Sequence, residues 1–155
     1  MLASKWVRGF LAGMVGGIVW LLGIFFIFGA AQVVLANPDI QSAKLIAAFT
    51  EEPLPRSASS PWVLPVGSIV MAALWGLVYV WISPAFSPSW WKRGLQFGGV
   101  AWVLMVPWFE FYIPWNVLLE PTALALLEMA AWAIVLLAVG LTVAGLEALL
   151  ARRTV

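Results

Sequence analysis

The chain alternates between four long apolar runs and short polar segments. The runs cover roughly residues 6–35, 62–82, 94–113 and 121–151. Each is at least about the 20 apolar residues that a helix needs to cross a bilayer. The pattern therefore predicts an all-α fold in one domain, with four transmembrane helices in an antiparallel bundle.

The longest polar segment, residues 36–61, carries a further helical pattern. Asn37-Pro38-Asp39 has the residue types of a helix start, and Leu45, Ile46 and Phe49 share one face of the turns that follow. Prolines at 53 and 55 end the pattern. We predict a short amphipathic helix on the membrane surface. The segment is either a plain connector or a lid over the neighbouring mouth of the bundle.

Glycines recur four residues apart in the first and third runs, which places them on one helix face. The absence of side chains there lets a second helix approach closely, which is a common way for helices to associate in lipid. We expect them to pack against helices of the same chain, with a dimer interface as the alternative. These helix-packing positions are Gly9, Gly13 and Gly17 in the first run and Gly94 and Gly98 in the third.

Composition agrees with a membrane environment and removes several kinds of chemistry. Of the 155 residues, 64% are hydrophobic and only 10% are charged, and the net charge is +1. A nucleic-acid partner would need a clustered basic face, so none is expected. The chain has neither cysteine nor histidine. Thiolate and imidazole metal sites and an imidazole base are thereby excluded, and we expect no metal and no cofactor.

The basic residues predict the orientation. Lys5, Arg8, Lys92, Arg93, Arg152 and Arg153 fall on one side of the four spans, whereas Lys44 and Arg56 fall on the other. The excess marks the cytoplasmic side. We predict a multi-pass protein of the bacterial cytoplasmic (inner) membrane with both termini in the cytoplasm. The first run, about twice as long as the core of a signal peptide, is kept as a span.

Two acidic residues interrupt the apolar runs. Glu110 belongs to the stretch Pro107–Pro121 at the outer mouth, and Glu128 lies about two turns inside the fourth run. The remaining acidic residues, including Glu120 and Glu147, are expected to be solvated. Buried carboxylates in a membrane are costly and are often functional. We expect structural roles for the two carboxylates; the alternative is a candidate proton, cation or ligand site formed by Glu110, Glu128, Tyr112, Asn116 and Trp108.

Short strings along the chain resemble a group of uncharacterised bacterial membrane proteins with four spans. They are Gln41-Ser-Ala-Lys-Leu-Ile, Glu52-Pro-Leu-Pro-Arg56, Lys92-Arg93-Gly94, Phe109-Glu-Phe111 and Leu127-Glu128, together with the Gly-rich first span. The resemblance implies the four-span architecture but no activity. The chain shares only the span number with the small multidrug-resistance transporters, because its first span contains no Glu.

These observations favour a non-catalytic protein. No pairing of a nucleophile with a base is visible, so an intramembrane enzyme acting on lipid is the weakest hypothesis. We expect an accessory or scaffold subunit that packs against other membrane helices, with the lipid bilayer, other membrane subunits or a second copy of the chain as partners. The alternative is a transporter or channel for protons, cations or organic cations that uses Glu110 and Glu128.

Overall fold

A computed structural model describes residues 4–152, and its secondary structure over that range is entirely helical. Arg153, which contributes to the charge asymmetry, lies outside the described residues. Four helices are long and apolar enough to cross a membrane. The six helices are α1 (Lys5–Leu35), α2 (Ala43–Thr50), α3 (Arg56–Ser59), α4 (Val63–Ala85), α5 (Trp90–Val117) and α6 (Thr122–Arg152).

The glycine face of α1 packs directly on the backbone of α4. A Cβ atom added at Gly13 would lie 2.9 Å from Cα of Ala73 and 3.0 Å from Cα of Gly76. Gly17 likewise lies against Cα of Ile69, and Gly9 lies against the Gly76 carbonyl oxygen and the Val80 side chain, so residue numbers fall along α4 as they rise along α1. Contact at this distance is open only to residues without side chains.

A second glycine contact joins α5 to α6. A Cβ atom at Gly98 would lie 2.6 Å from the carbonyl oxygen of Leu136, and one at Gly94 would lie 2.8 Å from Cα of Leu141. Gly140 of α6 faces both glycines, so both helices have glycine at this contact. The two pairs meet where Gly16 and Gly23 of α1 approach valines of α6. All five predicted packing glycines therefore make contacts within the chain.

Larger side chains fill the space between the two pairs. Tyr79 of α4 and Phe97 of α5 are each almost fully buried, and their rings meet edge to face with centroids 5.1 Å apart. Val135 and Val143 of α6 close the cluster. At the same end as the termini, Arg8 pairs with Glu147 at 3.4 Å. The prediction that Glu147 is simply solvated is therefore wrong.

Two segments of the long helices adopt the wider π-helical form. They are Ile24–Phe28 in α1 and Pro107–Tyr112 in α5. Proline has no N–H to donate and its ring crowds the preceding turn, which accounts for the second segment. The sequence pattern suggested a span from Gly94 to about Ile113. The helix begins earlier, at Trp90, and continues through the π segment to Val117.

The helix in the loop between α1 and α4 starts later than predicted. Asn37 does not begin it; its side-chain oxygen instead accepts a hydrogen bond of 3.0 Å from the Asp39 N–H, closing a local turn. The helix begins at Ala43, with Ser42 as the capping residue that accepts from the Leu45 N–H. Asn37 and Ser42 are both good capping types, so composition alone did not separate them.

We expect Gly13→Ala to destabilise the fold by about 1–3 kcal/mol, because the new methyl group would meet backbone atoms that cannot move aside. Gly29→Ala in the same helix is the matched control, since no atom lies within 4 Å of its Cβ position. Reversible unfolding in mixed micelles would measure both free energies. Equal stabilities of the two variants would show that the contact between α1 and α4 tolerates separation.

Candidate functional site

A buried carboxylate lies at the end of the bundle away from the termini, between α5 and α6. The Glu120 side chain is only 2% exposed. Its Oε1 accepts a hydrogen bond of 2.8 Å from Nε2 of Gln41, which is itself 7% exposed. Its Oε2 is buried without a hydrogen-bond partner. The prediction that Glu120 is solvated is therefore wrong, because the loop between α1 and α4 folds over it.

The amide of Gln41 joins three segments of the chain. Besides Glu120, its Nε2 donates to the Leu35 carbonyl oxygen at 3.0 Å, and its Oε1 accepts from the Ser42 N–H at 2.7 Å. The Ser42 hydroxyl donates to the Leu118 carbonyl oxygen. Gln41 and Ser42 thus fix the start of α2 against the turn between α5 and α6.

That turn has an uncommon backbone conformation. Leu119 has a φ of 58°, which is in the left-handed region where a residue with a Cβ is disfavoured by about 1–2 kcal/mol. The N–H groups of Leu118 and Glu120 on either side both donate to the Pro114 carbonyl oxygen. The Leu118 carbonyl oxygen and the Glu120 carboxylate of this turn both contact the loop. Leu119, the strained residue, therefore lies between the two points at which the turn contacts the loop.

Burial raises the pKa of the Glu120 carboxyl above its ordinary value, while the hydrogen bond from Gln41 acts in the opposite direction. Loss of water around the carboxylate is the larger cause, because it disfavours the charged form. Glu120 also interacts electrostatically with Glu110 of α5 and Glu128 of α6. Among residues 4–152, no Lys or Arg lies within 4 Å of these three carboxylates.

Glu128 lines a cavity next to this cluster. The cavity has a volume of about 390 Å³ and lies between the C-terminal end of α1, helix α2 and α6. Its walls are mainly carbon: Leu35 comes from α1, and α2 contributes Leu45, Ile46 and Phe49. Glu128 is its only charged residue, and the Gln32 amide adds polarity at the rim. An apolar cavity with one carboxylate suits an apolar ligand that carries a positive charge.

Glu110 lies on a separate and much smaller cavity, which Trp132 also lines. Its volume is about 30 Å³, enough for a water molecule but not for an organic ligand. The Trp132 indole N–H lies beside the carboxylate without reaching good hydrogen-bond geometry. Glu110 and Glu128 therefore interact electrostatically but line different cavities.

Of the other predicted site residues, Asn116 borders a groove that Glu120 also lines, whereas Trp108 and Tyr112 contact each other at the surface. Trp108 and Tyr112 are 55% and 43% exposed and stack on each other, with ring centroids 4.8 Å apart. Asn116 is also exposed and borders an open groove of about 460 Å³ beside Glu120. The π-helical segment explains the difference. An uninterrupted helix would continue the inward row of Ala101 toward residues 108 and 112, whereas the wider turn shifts that row.

Sequence reasoning missed Gln41, Ser42 and Glu120. The usable signal was Ser42 three residues before Leu45, which is the spacing of a capping hydroxyl to the N–H that it accepts from. That start would have left Gln41 just outside the helix. Nothing local distinguishes Glu120 from an exposed turn residue, because its burial comes from a segment 79 positions away.

The described residues contain no group of three acidic side chains close enough to hold a metal ion. Comparison of the chain with protein-family models, curated proteins and solved structures finds no match. The resemblance to bacterial proteins with four spans therefore stays a prediction, and any functional proposal has to rest on the geometry of the site.

Proposed function

We propose that the chain is an integral membrane protein whose outer face binds an organic cation at Glu128. The observation that carries the proposal is the position of this carboxylate in a cavity of about 390 Å³ with mainly apolar walls. The walls would take the apolar part of the ligand, and the carboxylate would take its charge. Binding of such ligands would be the first step of the transport function that was the alternative hypothesis from the sequence.

Two features support a cation over a neutral or anionic ligand. Glu110 and Glu120 interact electrostatically with Glu128, so any charge that these two neighbours carry is negative. Among the described residues, the nearest basic side chains do not come within 4 Å of the three carboxylates. A positive charge on the ligand would offset the repulsion that an acidic cluster suffers in poorly hydrated surroundings.

The proposal includes an orientation in the bacterial cytoplasmic membrane. Four spans in an antiparallel bundle, with most basic residues near the termini and the loop between α4 and α5, direct α2 and the Glu128 cavity away from the cytoplasm. The α2 helix would then lie at the outer membrane surface, where its apolar residues contact both the cavity and the headgroup region.

An accessory or scaffold role is the second candidate. The face of α1 opposite its glycines is broadly exposed, with Phe25 at 74% and Val33 at 83%. The most apolar part of α1 is also far less buried than that of the other three spans. This face would contact lipid, or a helix of another subunit or second copy. The glycine contacts give no separate support, because they are made within the chain.

In nanodiscs, Glu128→Gln is expected to weaken binding of tetraphenylphosphonium by about tenfold or more, which corresponds to about 1.4 kcal/mol. Tryptophan fluorescence would follow binding, with empty nanodiscs subtracted. Glu51→Gln is the control, because Glu51 is an exposed loop residue. Tetraphenylborate, an anion of similar shape, should bind poorly. Equal affinity of both ions, or no effect of Glu128→Gln, would contradict an organic-cation site.

The orientation predicts which loops an impermeant thiol reagent reaches in intact cells. The natural chain has no cysteine, so single replacements give unambiguous labels. Ser57→Cys lies in the outer loop and should react, whereas Ala85→Cys should react only after the cells are opened; both positions are exposed. The opposite labelling pattern would place the Glu128 cavity on the cytoplasmic side.

If the exposed face of α1 packs against a second copy, Phe25→Cys should form a disulfide-linked dimer under mild oxidation in native membranes. Val103→Cys on α5, which is 62% exposed, serves as the control and should stay monomeric. Purification in mild detergent would detect a different subunit bound to this face. A strictly monomeric protein with no dimer and no co-purifying chain would count against the accessory role.

A further inference from the structure

We propose that Gln41 and Glu120 form a latch that keeps α2 closed as a lid over the Glu128 cavity. In the proposed mechanism, breaking their contact lets the lid lift and opens the cavity to the outer solution. The inference deepens the proposed function, since it concerns access to the same site. It does not depend on the identity of the ligand, because it concerns exposure of the cavity wall.

Apart from the latch, few interactions hold the lid against the four long helices. No residue of α2 is buried, and its contacts with the four long helices are sparse. It packs through Leu45, Ile46 and Phe49, which form one wall of the cavity and do not fill it. A helix with so little buried surface opens at low free-energy cost unless polar contacts hold it.

The polar contacts of the lid are concentrated at its N-terminal end. Gln41 bonds to Glu120 and to the Leu35 carbonyl oxygen, and Ser42 bonds to the Leu118 carbonyl oxygen. Gln41 and Ser42, which make these contacts, lie just before the first residue of α2. The segment after the lid contains Pro53 and Pro55 and is exposed at most positions. The lid is therefore fixed at its start and loosely connected at its end.

The Glu120 side chain of the latch is in an energetically unfavourable position when the lid is closed. Glu120 is 98% removed from solvent and its Oε2 has no partner, an arrangement that costs stability in the closed state. Opening the lid would return water to this oxygen. The hydrogen bond from Gln41 and the unfavourable burial of Oε2 thus oppose each other. A small change at either residue is enough to shift the balance between closed and open.

Protonation should move this balance in a defined direction. Burial raises the pKa of Glu120 in the closed state, so the closed state binds the proton more tightly than an open state with a hydrated carboxyl. The ionisable groups that interact electrostatically with Glu120 are Glu110 of α5 and Glu128 of α6. The outer loop adds only a neutral neighbour, Gln41. Closure is thus strongest at acid pH and weakens as the pH rises through the raised pKa.

The test measures access to the cavity wall directly. Leu35 lines the cavity and is 5% exposed, so a Leu35→Cys variant carries one thiol beneath the lid. Its rate of reaction with a charged thiol reagent is divided by that of Ser57→Cys, which is exposed, at each pH. This ratio removes the intrinsic pH dependence of thiol chemistry. Addition of Glu120→Ala or Gln41→Ala should raise the ratio about tenfold or more.

Isosteric variants separate a latch from a general loss of stability. Glu120→Gln keeps an oxygen that accepts from Gln41, so it should stay closed and lose the pH dependence. Gln41→Glu should open the lid by repulsion between two carboxylates. Combining Gln41→Glu with Glu120→Gln restores a donor and an acceptor, and should restore much of the protection. Failure of that rescue, or equal ratios in wild type and Glu120→Ala, would overturn the latch.

Ligand kinetics keep this inference distinct from the proposed function. If both hold, Gln41→Ala speeds association and dissociation of tetraphenylphosphonium by similar factors and leaves the affinity nearly unchanged, because Gln41 is neutral and does not line the cavity. If only the latch holds, thiol access changes while no variant binds the cation. If only the organic-cation site holds, Glu128→Gln weakens binding while Gln41→Ala leaves thiol access and both rate constants at wild-type values.

Discussion

The close contact of glycine-bearing backbones is the constraint on which the rest of the structure depends. Apolar side chains gain little by leaving lipid for a protein interior, so helices in a bilayer need close packing to associate. Gly13 provides it between α1 and α4, and Gly98 provides it between α5 and α6. These contacts hold the half of the bundle near the termini. The other half is free to carry interruptions, cavities and buried carboxylates.

The functional proposals all concern that second half. Both π-helical segments, the left-handed residue Leu119 and the cavities lined by Glu110 and Glu128 lie there. Strain and poorly solvated charge persist only where surrounding structure supports them, and they occur often at functional sites. The regular packed half thus supports the irregular half to which the proposed binding site belongs.

The sequence was sufficient for the all-helical class and for four candidate spans, because these follow from the length and hydropathy of each run. It also singled out Glu110 and Glu128, whose part in a site stays a prediction. It did not identify Glu120 or Gln41, since their burial results from two loops meeting across the mouth of the bundle. It grouped Trp108, Tyr112 and Asn116 with the two carboxylates, because Pro107 indicates that the helix is distorted but not by how much or in which direction.

The π-helical turn at Pro107–Tyr112 has a consequence for how this chain can vary. Relative to a regular helix, it accommodates about one additional residue, and one residue corresponds to about 100° of rotation. Removal of a single residue there would turn Glu110 toward lipid and Trp108 toward α6 while leaving the glycine contacts in place. Removal of one residue, a change that proteins usually tolerate only in loops, would thus replace the acidic side chain that lines this cavity by an aromatic one. The packing of the helices would remain intact.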